Sequence, residues 1–90
     1  MNEQVVIIGA SGHGKVIADI ILKSGDFVIG FLDDNPNLGN DFIGFPVLGK
    51  VLDAVNYTEY KFVIAIGNAD IRERIVHELD VQWYTAIHPT

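Results

Sequence analysis

The segment that most constrains this chain runs from Val5 to Lys23. Val5-Val6-Ile7-Ile8 is short, β-branched and non-alternating, and it ends at Gly9. Such a run suits a strand buried on both faces, as in a parallel sheet. The turn Gly9-Ala10-Ser11-Gly12-His13-Gly14 follows. From His13 to Lys23 the apolar period becomes helical. Val16, Ile17, Ile20 and Ile21 are expected on one face, with Lys15, Asp19 and Lys23 on the other. Asp19 before Lys23 favours an ion pair along the helix. Gly25 stands where a left-handed C-cap belongs. A strand, a glycine turn and a helix in this order open a parallel α/β unit.

The rest of the chain repeats that alternation. Phe27–Leu32 reads as a second strand, stopped by Asp33-Asp34-Asn35-Pro36. Pro36 biases Asn35 away from helix, and the polar stretch through Asp41 reads as a surface loop. Pro46–Gly49 suits a short edge strand, where a proline is tolerated, and a short helix is expected from about Lys50 to Val55. Phe62–Ile66 is a further strong strand ending at Gly67-Asn68. In the next helix Ile71, Ile75, Val76 and Leu79 are expected to face inward, and Arg72, Arg74, His77 and Glu78 to face elsewhere. Asn68 or Asp70 can cap it, and Asp70 with Glu73 has capping-box spacing. Trp83–Ile87 reads as a last strand. Alternating strands and helices imply α/β. The expected architecture is a Rossmann-like three-layer domain over residues 1–87, with a mostly parallel sheet in the order 3-2-1-4-5.

Composition narrows the partners. The 90 residues are 49% hydrophobic and carry a net charge of −6, with no cysteine. The apolar content excludes an intrinsically disordered chain. The negative charge gives no general attraction to nucleic acid or to anionic membrane. Without cysteine there is no disulfide, cysteine-ligated zinc or cysteine nucleophile. The Val5–Ile8 run is too short for a signal-peptide core, and no apolar stretch approaches the roughly 18 residues of a membrane span. A cytoplasmic location is the default expectation.

Three loops can carry chemistry. Phosphate needs backbone N–H donors at close approach, and a glycine turn opening a helix supplies them. Gly9, Ala10, Ser11, Gly12, His13 and Gly14 are therefore candidate ligand contacts, with Lys15 a cation one turn along. Their spacing is G-x-x-G-x-G, not the dinucleotide fingerprint G-x-G-x-x-G, and a tight turn without ligand is the plainer alternative. Asp33 and Asp34 end the second strand about 20 residues on, where an acidic side chain reads a ribose or base. The alternative is solvation and turn initiation. Removing the pair is expected to weaken ligand affinity and to leave thermal stability nearly unchanged. Gly67 and Asn68 end the strand expected beside the first, at the point where open α/β sheets bind ligands, although Asn68 is equally a helix cap. His13, His77 and His88 are too scattered for a metal site, and no nucleophile triad can be argued.

Taken together, VVIIGASGHGKVIADII, IGFLDDNP, IGFPVLG, FVIAIGNADIRERI and AIHPT resemble the N-terminal domain of the PglD/NeuD-type sugar O- and N-acetyltransferases. The resemblance spans essentially the whole chain. It implies a Rossmann-like domain that binds a nucleotide-linked amino sugar, such as a UDP-sugar, or a sialic acid, in bacterial surface glycan biosynthesis. It further implies a following left-handed β-helix of hexapeptide repeats, which forms a homotrimer, binds acetyl-CoA and supplies a histidine base. His88-Pro89-Thr90 would be the entry to that β-helix. On this resemblance Gly9 to Gly14 approach the phosphates and sugar, Asp33 and Asp34 read the nucleoside, and Gly67 and Asn68 line the pocket. No catalytic residue falls within this chain, which is expected to bind and not to catalyse. The alternative is an NAD- or nucleotide-binding module of a nucleotide-sugar dehydratase or a redox regulator.

Overall fold

A computed structural model describes residues 2–84. The elements are β1 (Gln4–Ile8), α1 (Gly12–Lys23), β2 (Phe27–Leu32), β3 (Asp41–Phe42), β4 (Phe45–Gly49), a 3-10 helix (Val51–Asn56), β5 (Lys61–Ile64), α2 (Ala69–Glu78) and β6 (Gln82–Trp83). They build one sheet in the order β3-β4-β2-β1-β5-β6. The pairs β4–β2, β2–β1, β1–β5 and β5–β6 are parallel. The five strands expected from sequence therefore stand in the expected order. The addition is β3, antiparallel at the β4 edge.

The non-alternating run in β1 has the reason anticipated for it. Val5 and Ile7 belong to one buried cluster, with Ala18 and Ile21 of α1 and Phe31 of β2. Val6 and Ile8 belong to another, with Val51 and Ala54 of the 3-10 helix and Ile75 and Leu79 near α2. A strand with helices on both faces has no polar side to show. This gives three layers, with α1 on one face and the 3-10 helix and α2 on the other.

The inward face of α1 differs from the expected stripe. Gly14, Ala18 and Ile21 are buried, whereas Val16 is 59% exposed. Small residues at that spacing let the helix lie close to the sheet, and the contact turns Val16 outward. The end of α1 follows expectation. Gly25 has φ +82, its N–H donates to Leu22 O at 3.1 Å, and Asp26 N–H donates to Ile21 O at 3.1 Å. That pair of bonds is a Schellman cap. Lys23 Nζ also meets Asp19 Oδ2 at 2.9 Å.

Further expectations are corrected. The stretch through Asp41 is not loop throughout, because Asp41–Phe42 pairs with Phe45 and Pro46. Phe42 anchors this hairpin by packing edge-on to the buried Phe31, with ring centroids 5.0 Å apart. The turn is Ile43-Gly44, both at positive φ (47° and 86°), the handedness two-residue hairpins favour. The short helix is 3-10, and Asp53 Oδ2 accepts from Lys50 N–H at its start at 2.8 Å. In α2, Val76 is 48% exposed, because the helix seats Ile75 against the sheet instead. Residues 85–87 of the expected last strand, and the His88-Pro89-Thr90 joint, lie outside the described residues.

Candidate functional site

β1 lies between β2 and β5, and the chain leaves it toward opposite edges of the sheet. The C-terminal ends of these three strands are the switch point where open α/β sheets bind ligands. Two glycines shape the backbone here. Gly9 has φ +113, its N–H donates to Leu32 O at 2.8 Å, and a Cβ would stand 2.8 Å from Ala65 O. Gly14 packs so closely that a Cβ would collide with the Gly9 carbonyl and lie 3.2 Å from Phe31 Cε1. Both are demanded by packing. Gly12 has open space around its Cβ position, so packing does not require it.

The acidic pair is more structural than its sequence context suggested. Asp33 Oδ2 accepts from Ala10 N–H at 2.7 Å across 23 residues, and Oδ1 accepts from Asn35 N–H at 2.8 Å. The carboxylate thus ties the glycine turn to the end of β2 and starts the following Asx turn. Asp34 Oδ1 accepts from Val51 N–H at 2.9 Å, holding the start of the 3-10 helix. This corrects the expectation that removing the pair leaves stability untouched.

The remaining candidates form a shelf beside these anchors. Ser11 is the N-cap of α1 without a side-chain capping bond, and Ser11, Gly12 and His13 are exposed. A Cβ at Gly67 would stand 3.1 Å from His13 Cε1, so the first and third loops meet at the histidine ring. Asn68 caps α2, with Oδ1 accepting from Ile71 N–H at 3.1 Å; Asp70 sits in the first turn, where its charge suits the helix dipole. Lys15 Nζ stands 6.0 Å from the centroid of the Phe42 ring.

Beside the shelf is a cavity of about 380 Å³. Of the residues singled out from sequence, Gly9, Asp33 and Asp34 line it. Ala10 to Gly14, Gly67 and Asn68 do not. The walls that sequence reasoning missed are Leu52 of the 3-10 helix, Ile66, and Ile71, Arg74, Ile75 and Glu78 of α2. The signal was present in part: positions 71, 74, 75 and 78 share one helical face. Arg74 Nε lies 3.9 Å from Glu78 Oε1. Among the described residues no group of three or more His, Cys, Asp or Glu could hold a metal ion.

The groups with displaced titration lie elsewhere, at the start of β2. Tyr84 Oη donates to Asp26 Oδ2 at 2.6 Å, and Asp26 Oδ1 accepts from Glu3 N–H at 2.8 Å. Burial, reinforced by the Asp26 bond and charge, pushes the Tyr84 phenol up to about 12. The Glu3 N–H and then the Tyr84 hydroxyl hold the Asp26 carboxyl below its ordinary value. This is a fastening between chain segments, remote from the cavity.

The sequence over residues 4–79 matches the family described as the PglD N-terminal domain. The chain belongs to that family. Solved structures agree. The acetyltransferase domain of PglB from Neisseria gonorrhoeae, in complex with acetyl coenzyme A, is 35% identical, with a TM-score of 0.73 over 87% of this chain and 38% of that one. A perosamine N-acetyltransferase from Caulobacter crescentus, in complex with CoA and GDP-perosamine, is 28% identical, with a TM-score of 0.71 over 83% of this chain and 36% of that one. An uncharacterized protein of Acanthamoeba polyphaga mimivirus is 33% identical over 84 residues, which are 92% of this chain and 17% of the relative. This PglD N-terminal domain thus spans well under half the length of each of these proteins. Among its described residues no helix is long and apolar enough to cross a membrane.

Proposed function

We propose that this domain is the acceptor-binding part of an acetyl-CoA-dependent sugar acetyltransferase in bacterial surface glycan synthesis. The acceptor is a nucleoside-diphosphate-linked amino sugar. The observation that carries this reading is the cavity at the switch point, lined by Gly9, which opens the glycine turn leading to the uncapped N-terminus of α1. The apolar walls suit a planar base, and the orphan N–H groups of the helix suit the phosphates. The perosamine N-acetyltransferase of the same fold, in complex with GDP-perosamine and CoA, supports it. A free sialic acid, polar throughout and carrying its own carboxylate, suits the apolar walls and acidic rim less well.

The residues present contribute binding and orientation. A bound base and diphosphate hold the sugar by its far end, so that its amine is presented in a fixed direction. His13, against Gly67, can donate to a phosphate or sugar oxygen at the shelf. Acetyl-CoA, when bound, supplies an acetyl thioester to that amine. A cavity of about 380 Å³ suits a nucleoside and not coenzyme A beside an acceptor, so no step through the donor is assigned to these residues. A homotrimer and a cytoplasmic location belong to the same reading of the full-length enzyme.

The NAD-binding alternative is less well supported. The glycine spacing G-x-x-G-x-G is not the dinucleotide fingerprint, and Asp33 already accepts two backbone N–H groups. Titration calorimetry against GDP, UDP, UDP-sugar, CMP-sialic acid and NAD tests the reading. Binding of a nucleoside diphosphate is expected. Tight NAD binding with no response to the others would overturn it.

A further inference from the structure

The rim of the cavity carries an uneven set of hydrogen-bonding groups. Each oxygen of Asp33 already accepts one backbone N–H, and Asp34 keeps one oxygen outside its bond to Val51. Glu78 and Arg74 stand one turn apart on the α2 wall, and their 3.9 Å separation is too long for a hydrogen bond. Each therefore keeps hydrogen-bonding capacity toward the cavity. Leu52 and Ile71 supply apolar surface on the 3-10 helix and α2 walls. The arrangement offers apolar surface for a flat ring, with carboxylate acceptors and one guanidinium among the lining groups.

Base chemistry then separates the candidates. The pairing edge of guanine presents two adjacent donors, N1–H and the N2 amino group, beside the O6 acceptor. One carboxylate accepts both donors in parallel, and a guanidinium donates to O6 or N7. Uracil presents a single N–H between two carbonyl oxygens, so a carboxylate meets one donor and faces two like partial charges. Cytosine and adenine offer one amino donor beside a ring-nitrogen acceptor. We infer that the α2 wall selects guanine, with Glu78 accepting from the N1–H and N2 amino edge and Arg74 donating to a ring acceptor. The inference rests on the nucleotide-binding reading above and goes beyond it in naming the base and the residues that choose it.

The test is titration calorimetry of the protein with GDP, UDP, CDP and ADP, repeated on Glu78→Gln. GDP is expected to bind at least tenfold more tightly than UDP, since one bidentate base contact discriminates by about that much or more. Glu78→Gln, on an exposed helix face, is expected to melt like the parent and to lose the preference for GDP. UDP binding as tightly as GDP would overturn the base assignment while leaving the nucleotide reading intact. An undiminished preference in Glu78→Gln would overturn the role of Glu78. Failure of all four nucleotides to bind would remove both readings together.

Discussion

Replacing Asp33 by alanine removes the acceptor of two backbone N–H groups at once. The Ala10 N–H, 2.7 Å from Asp33 Oδ2, is half-buried inside the glycine turn, and water reaches it poorly. Losing such a charge-assisted bond costs about 1.5–3 kcal/mol, much of it the penalty of a donor left unpaired. The Asn35 N–H, 2.8 Å from Oδ1, is exposed, so water replaces that acceptor and the loss is about 0.5 kcal/mol. The total of about 2–3 kcal/mol is a large part of the roughly 5–13 kcal/mol expected for a domain of this size. At about 4–8 °C per kcal/mol, Asp33→Ala should lower Tm by about 10–20 °C. Asp33→Asn keeps one acceptor and should lose about half as much. Asp34→Ala removes the single bond to Val51 N–H and should cost about 1 kcal/mol. Thermal melts followed by far-UV circular dichroism, with urea titrations alongside, measure these differences. If Asp33→Ala melts within about 2 °C of the parent, a shift that corresponds to under 1 kcal/mol, the carboxylate does not hold the turn and the reasoning fails.

Other expectations concern the glycines, the hairpin and the Tyr84 fastening. Gly14→Ala should lower Tm strongly, since its Cβ meets the Gly9 carbonyl and Phe31 and overpacking costs about 1–3 kcal/mol; Gly12→Ala, in open space, should leave Tm nearly unchanged, and equal melts for the two would refute the packing argument. Ile43→Asn should raise Tm, because a β-branched residue at φ 47 is strained by about 1–2 kcal/mol and Asn-Gly suits this turn; an unchanged or lower Tm would count against it. The Asp26–Tyr84 contribution to stability should be present in full between pH 3.8 and 10, the ordinary values of the two groups. Asp26 is held below its ordinary value, so its share is lost as acid takes the pH below 3.8 and through the folded-state value. Tyr84 is raised, so its share is lost as the pH climbs from 10 through about 12. Tyr84→Phe should melt lower at neutral pH and show a flatter alkaline limb; a Tm profile identical to the parent's would refute the fastening.

Much of the architecture was legible because each signal is local. Val5–Ile8 could be assigned to a strand covered on both faces from its lack of alternation alone, and Gly25 to a C-cap from its position after the last apolar turn. The hairpin at Ile43-Gly44 was not legible. Its turn residue is a β-branched one that local preference opposes, and the compensation comes from Phe42 packing on Phe31, which is distant in sequence. Val16 was misplaced for a related reason, since an apolar face of α1 could be recognised but not how closely glycine and alanine would bring that helix to the sheet.

The site divides along the same line. Sequence alone determined which strand ends come together, because those marked by Gly9, Asp33 and Gly67 converge in any parallel sheet with β1 between its neighbours. Only the tertiary structure decided which side chains face the cavity. Arg74 and Glu78 enter the cavity because the packing of Ile75 and Leu79 sets the rotation of α2. Asp33 turns from ligand candidate to anchor because Ala10, 23 residues away, brings its N–H within 2.7 Å. Periodicity reports which residues share a face, but which partner that face meets is fixed by contacts made across the chain.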